Sequence, residues 1–233
     1  MSTKFMELHN KIELLIFDLD GTLADTVPQI ALSVKRALEK NSILFPGEDR
    51  IRGFVGNGAD KLLQRAMTNK FEVTDADFDP ELFQKLRIDY FKIYMEEIGN
   101  HFSLYPNVED TLIFLKKSNF KLAIATNKPD IYIRPWLTAA NLENIFDLTV
   151  GSGVLSTRKP DPEILFYVCN KLGVSHEHSL MVGDSSNDII AAQNAKMRSV
   201  GLTYGYNYSK PIKLFNPTYV LDDFSKIKEI VIG

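Results

Sequence analysis

Six short apolar runs punctuate the sequence: Leu14 to Phe17, Leu122 to Ala125, Leu148 to Val150, Leu180 to Val182, Ser199 to Leu202 and Tyr219 to Leu221. Runs this short, without alternation, read as parallel strands buried on both faces. Helix-length segments separate them. Val108, Leu112 and Leu115 mark one, and Ile164, Leu165, Val168 and Leu172 another, each spaced to set one apolar stripe against a sheet. The alternation predicts an α/β fold: a doubly wound, Rossmann-like parallel sheet.

From about Asp25 to His101 the rhythm breaks, with no comparable strand run and three helical patterns instead. The first holds Val27, Ile30, Ala31, Val34 and Leu38, with Thr26 as N-cap and Pro28 in its first turn. The second holds Leu62, Leu63, Ala66 and Met67, and the third Leu82, Phe83, Leu86, Tyr90 and Ile93, with Pro80 near its start. This predicts an all-helical insertion over residues 25–101, with 1–24 and 102–233 forming a discontinuous α/β core.

Composition narrows the partners. A chain of 233 residues buries a sizeable core without disulfides, and its single cysteine, Cys169, has no internal partner. Lys and Arg total 27 against 30 Asp and Glu, a net charge of −3, which offers no broad cationic field for nucleic acid or an anionic membrane. Any anionic ligand is therefore small and locally bound. Met1 to Lys11, with Lys4, Glu7, His9 and Lys11, lacks the apolar region of a signal peptide, and no run approaches the roughly 20 apolar residues of a membrane span. The expectation is a cytoplasmic protein, monomeric or homodimeric.

The first run leads straight into Asp18-Leu19-Asp20-Gly21-Thr22, so two carboxylates two residues apart project to one side of an extended segment at a strand's carboxyl end. Open α/β sheets bind ligands at that end. The fourth run ends in Gly183-Asp184-Ser185-Ser186-Asn187-Asp188, which reads by itself as an ordinary helix N-cap. On a neighbouring strand end it would join Asp18 and Asp20 in an oxygen-rich set suited to a hard divalent ion such as Mg²⁺. Thr126 and Asn127 close the second run with a hydroxyl and backbone N–H groups. Lys128 follows, read as facing solvent. Lys159, in Arg158-Lys159-Pro160-Asp161-Pro162, precedes a helix that begins near Pro162.

In order, Asp18-Leu19-Asp20-Gly21-Thr22, Thr126-Asn127, Lys159-Pro160 and Gly183-Asp184 to Asp188 resemble the motifs of the haloacid dehalogenase superfamily, in its phosphatase branch, over nearly the whole chain. The resemblance implies that the helical insertion is a small mobile cap. It implies Asp18 as a nucleophile forming an aspartyl phosphate, and Asp20 as general acid and then general base. It implies Mg²⁺ held by Asp18, the Asp20 main-chain carbonyl and Asp184, with Thr126, Asn127 and Lys159 around the phosphoryl oxygens. Asp188 then orients Lys159 or a metal-bound water, and Asp25 is read as a helix cap.

Two further stretches, Phe54 to Leu63 and Gly201 to Tyr208, resemble phosphoglycolate phosphatases within that superfamily. This implies a small phosphorylated metabolite, 2-phosphoglycolate, as substrate, with other small phosphate esters, pyrophosphate, a hexose-phosphate mutase and a phosphometabolite-binding sensor as alternatives. Gly56-Asn57-Gly58 reads either as a loop presenting N–H groups to a carboxylate, with Arg52 or Lys61 as charge partner, or as a tight interhelical turn. Tyr204, Tyr206 and Tyr208 read either as a wall of the site or as packing on the last strand.

Overall fold

The structure, a computed structural model, describes residues 11–208 and 210–232. The amino-terminal reading that rested on Lys4, Glu7 and His9 falls outside them. In chain order the strands are β1 (Leu14–Phe17), β2 (Ala24–Asp25), β3 (Ser103–Leu104), β4 (Lys121–Pro129), β5 (Leu148–Ser152), β6 (Ser179–Gly183), β7 (Arg198–Leu202) and β8 (Tyr219–Leu221). The helices are α1 (Val27–Lys40), α2 (Glu48–Phe54), α3 (Ala59–Thr68), α4 (Pro80–Glu97), α5 (Val108–Lys117), α6 (Ile133–Ala139), α7 (Glu163–Leu172), α8 (Ser186–Asn194) and α9 (Ile227–Ile232).

All six apolar runs are strands of one sheet, in the order β5-β4-β1-β6-β7-β8 and parallel throughout. β1 is buried along its length because it pairs on both sides, Leu15 opposite Leu122 and Leu180, Phe17 opposite Ile124 and Val182. Its period of two sorts the core into two layers. Leu15 and Phe17 pack with Val108, Leu112, Trp136, Phe224 and Ile227 from α5, α6 and the C-terminal segment. Leu14 and Ile16 pack with Ile164, Leu165 and Val168 of α7 and Ala191 and Ala192 of α8. Helices therefore cover both faces, as a fully buried parallel sheet requires. Cys169 is a buried free thiol in the second layer.

The chain runs outward from β1 through β4 to β5, then returns across β1 to β6 and continues through β7 to β8. The switch of direction puts the carboxyl ends of β1, β4 and β6 side by side, where open sheets form a crevice.

The 25–101 region contains four helices rather than three. The additional one, α2, buries only Ile51 and Phe54 in seven residues, too little to announce an apolar stripe. The four share a separate core that includes Val34, Leu38, Phe54, Leu63, Leu86 and Tyr90. Asp79 caps α4 by accepting N–H bonds from Glu81 and Leu82. The expected cap of α1 is corrected: Thr26 occupies the N-cap position, but its side chain makes no capping bond. Asp25 instead accepts from the Val27 N–H at 3.2 Å, and Thr26 turns its hydroxyl toward Asp20. Among the described residues no helix is long and apolar enough to cross a membrane.

Candidate active site

The first acidic segment continues directly from β1. The Asp18 N–H extends the ladder to Val182 O at 3.0 Å, after which the chain turns, with Thr22 and Leu23 N–H both donating to Leu19 O. Gly21 adopts φ +90°, and a Cβ there would lie 2.4 Å from Asp184 Oδ2. Only glycine lets the turn pass this close to the second acidic segment.

Asp184 leaves the end of β6 buried. Thr22 Oγ1 donates to its Oδ1 at 2.6 Å and the Tyr206 N–H to its Oδ2 at 2.7 Å. The N-cap reading of the next residues is half of what Asp188 does. Its Oδ2 accepts from the Ser185 N–H and hydroxyl at 3.0 and 2.9 Å, closing a capping box on α8. Its Oδ1 accepts from Lys159 Nζ at 2.6 Å. Lys159, its side chain 1% exposed, also lies 3.1 Å from Asp18 Oδ1. That contact is an ion pair without hydrogen-bond alignment, since Asp18 Oδ1 is buried and accepts no hydrogen bond.

Carboxylate oxygens of Asp18, Asp184 and Asp188 all come within 4.8 Å of one another. Burial first, then the charges of Asp188 and Asp18, push the Asp184 carboxyl well above the usual carboxylate range. Burial also raises Asp188, although Lys159 opposes it. Lys159 shows the converse: burial works to lower its proton affinity, but Asp18 and Asp188 outweigh it and hold the ammonium above its ordinary value. One lysine thus stands against three carboxylates. An orphaned buried carboxylate oxygen beside crowded hard-oxygen donors fits a divalent cation.

The expectation for Lys128 is overturned. β4 does not stop at Ala125 but runs on to Pro129, and the Lys128 side chain, 4% exposed, turns inward. Its Nζ lies 2.9 and 3.1 Å from the two Asp20 carboxylate oxygens, and Thr26 Oγ1 donates to Asp20 Oδ1 at 2.8 Å. Asn127 ties three segments together. Its Nδ2 donates to Gly56 O and Lys159 O, each at 3.0 Å, and its Oδ1 accepts from the Lys159 N–H at 3.0 Å. Thr126 Oγ1 accepts from the Lys128 N–H at 3.2 Å.

Asp18, Asp20, Thr126, Asn127 and Lys128 face one cavity of about 50 Å³, roofed by Ile30, Leu62, Tyr90 and Tyr94 of the helical region. The model of the haloacid dehalogenase-like hydrolases matches residues 15–202, spanning every one of these positions. The chain belongs to that family. It is 40% identical over 222 residues to a phosphoglycolate phosphatase of Colwellia psychrerythraea, covering 95% of this chain and 97% of the relative. It is 39% identical to one from Mannheimia succiniciproducens, covering 96% and 100%. The crystal structure of a predicted phosphoglycolate phosphatase from Haemophilus somnus superimposes with a TM-score of 0.86 at 39% identity, over 94% of this chain and 97% of that one.

In this haloacid dehalogenase-like hydrolase the helical-region candidates divide. Gly58, at the start of α3, lines the cavity. Asn57 stands behind it, its Oδ1 accepting from Arg65 at 2.9 Å and from the Tyr208 hydroxyl at 3.1 Å. Arg52 and Lys61 do not reach the cavity. The Arg52 guanidinium pairs with Asp25 at 3.2 Å and lies over the Tyr206 ring, and Lys61 Nζ donates to Val73 O at 3.0 Å. Asp25 is in turn held below the usual carboxylate range, because bonds from Tyr206 and Arg52 outweigh the opposing effect of its burial.

The three tyrosines divide. Tyr204 packs on the same core layer as Tyr219 and Leu221 of the last strand and donates to Thr22 O, whereas the hydroxyls of Tyr206 and Tyr208 stitch the carboxyl-end loops to the helical region, Tyr206 to Asp25 and Tyr208 between Asn187 and Asn57. Burial pushes the Tyr208 phenol up to about 12, so it stays a neutral donor near pH 7. Asn187 is a residue that the motif reading passed over; its Nδ2 donates to Gly56 O at 3.0 Å, beside the bond from Asn127.

Proposed function

We propose that the chain is a phosphomonoester hydrolase that works through an aspartyl phosphate on Asp18 and takes 2-phosphoglycolate as its substrate. The carrying observation is that the Asp18 and Asp20 carboxylates face the same small cavity, together with Thr126, Asn127 and Lys128. A protein that only bound a phosphometabolite has no use for a nucleophile and an acid side by side. Residues 25–101 act as a cap over a core of 1–24 and 102–233.

The Asp18 carboxylate attacks phosphorus as the ester P–O bond breaks, dividing one displacement into two. Asp20, oriented by Thr26 and Lys128, gives its proton to the departing glycolate oxygen and then takes one from the water that hydrolyses the acyl phosphate. Lys159 and the Thr126 and Asn127 segment supply positive charge and donors to the phosphoryl oxygens. Asp18 and Asp184, with the Asp20 carbonyl, would hold Mg²⁺, which when bound lowers the repulsion between nucleophile and phosphate dianion. Asp188 has both oxygens committed to Lys159 and Ser185, which suits it to orienting Lys159.

The substrate assignment rests on the phosphoglycolate phosphatase relatives, which match nearly the whole chain. The test is phosphate release, with and without Mg²⁺, from 2-phosphoglycolate, hexose phosphates, pyrophosphate and nucleotides. Metal-dependent release fastest from 2-phosphoglycolate is expected; faster release from a hexose phosphate or pyrophosphate overturns the substrate and leaves the mechanism standing.

A further inference from the structure

A two-carbon phosphate ester with a carboxylate carries a second anionic group beside the phosphate, and the cavity must meet it with something. Arg52 is committed to Asp25, and Lys61 to a backbone carbonyl. Among the residues lining the cavity Lys128 alone carries a positive side chain. Its ammonium has three N–H donors and, among the described residues, no hydrogen-bond acceptor besides the two oxygens of Asp20. The Tyr94 ring lies over it at 4.9 Å, and Ile30, Leu62 and Tyr90 keep the surroundings apolar. A buried cation with donor capacity left, beside a ligand cavity, is a receptor for an anion.

The position matches the chemistry. In 2-phosphoglycolate the carboxylate is bonded to the same carbon as the ester oxygen. When that oxygen sits at Asp20 to receive a proton, the carboxylate lies within one short side-chain length of it. Lys128 is the cation already seated on Asp20. We propose that Lys128 recognises the substrate's carboxylate and sets the preference for short phosphate esters that carry one; this rests on the phosphatase reading above.

The experiment compares kcat/KM for 2-phosphoglycolate with that for 2-hydroxyethyl phosphate, of similar length but without the charge, in wild type, Lys128→Gln and Lys128→Arg. Glutamine still donates to Asp20 but carries no charge, so the loss common to both esters cancels in the ratio. The expected result is a wild-type preference for the carboxylate ester that falls about 30-fold in Lys128→Gln, the order of one charge-assisted hydrogen bond, and recovers in part in Lys128→Arg. If Lys128→Gln turns over too slowly to assay, the dissociation constants of 3-phosphonopropionate and propylphosphonate, read by calorimetry, give the same ratio. A strong wild-type preference that survives in Lys128→Gln overturns the role of Lys128 and leaves the substrate assignment intact. A wild type that treats the two esters alike overturns the substrate assignment and this proposal with it.

Discussion

Replacing Asp18 by asparagine separates the chemistry of the site from its folding. Lys159 Nζ lies 3.1 Å from Asp18 Oδ1, an attraction of about 5 kcal/mol at an effective dielectric of about 20. Against it stand Asp184 and Asp188, each repelling Asp18 by about 3.5 kcal/mol when ionised, taken at the 4.8 Å that bounds their separation. The raised proton affinity of Asp184 removes part of its charge, so the repulsion lies between one such contribution and two. Attraction and repulsion then cancel to within about 2 kcal/mol. Lys159 also holds a 2.6 Å bond to Asp188, which the substitution does not remove directly. Measured by urea unfolding without divalent cations, Asp18→Asn should therefore shift stability by no more than about 2 kcal/mol in either direction. Phosphate release should fall on the order of 10⁵-fold, because the amide cannot attack phosphorus. Activity within tenfold of wild type would refute Asp18 as the nucleophile. A destabilisation above about 4 kcal/mol would refute the charge balance and make Asp18 a structural residue.

Gly205→Ala tests how Asp184 is positioned. An added Cβ would lie 2.1 Å from Asp184 Oδ2, and that carboxylate, pinned by Thr22 and the Tyr206 N–H, has nowhere to go. The variant should lose about 1–3 kcal/mol of stability and most of its Mg²⁺-dependent phosphate release; full activity at wild-type Mg²⁺ concentrations contradicts the assignment. Asp25→Asn tests a bond network between the helical region and the sheet. The folded-state Asp25 carboxyl is depressed, so its contribution is present above the unfolded value near 3.9 and is lost as pH falls through the lower folded value. The stability gap between wild type and variant should be constant near pH 7 and shrink below about pH 4; a gap that widens on acidification reverses the sign and sinks the argument. Tyr208→Phe removes a hydroxyl that donates to Asn57 and accepts from Asn187. About 1 kcal/mol of closure is expected to go, read as a several-fold rise in KM with kcat nearly unchanged, whereas an unchanged KM excludes a role in holding the loop.

How much of this was legible in the sequence follows from which forces act locally. The strands were readable because burial on both faces demands uninterrupted apolar residues, and β1 needs Leu14 to Phe17 for two layers at once. The acidic segments were readable because each begins where such a run stops. Helix α2 was hidden, since two buried side chains in seven residues make no period. The partners of Asp184 were hidden for a different reason. One of its two bonds comes from the backbone N–H of Tyr206, and a main-chain donor leaves no mark on residue identity.

Lys128 is the instructive miss, because an irregularity in the strand that residue identity does not announce sets its orientation. Reading the second run as closing at Asn127 left Lys128 in a loop, where a lysine belongs in water. The strand instead continues to Pro129, but its pairing with β5 shifts register between Ala125 and Pro129, so strict alternation fails there and Thr126, Asn127 and Lys128 all line the cavity. Burying that ammonium is tolerable only with a carboxylate against it, and Asp20 supplies one at 2.9 Å. The same pairing explains why Arg52 and Lys61 were the wrong choices. Arg52 pairs with Asp25 and with Glu48 one turn away, and Lys61 with a carbonyl of the loop after its helix, so each half-buried cation is already matched locally. The one positive side chain that lines the cavity thus stands on the sheet rather than on the helices above it, and a group held by a strand paired on both sides is placed more precisely than one on a short helix.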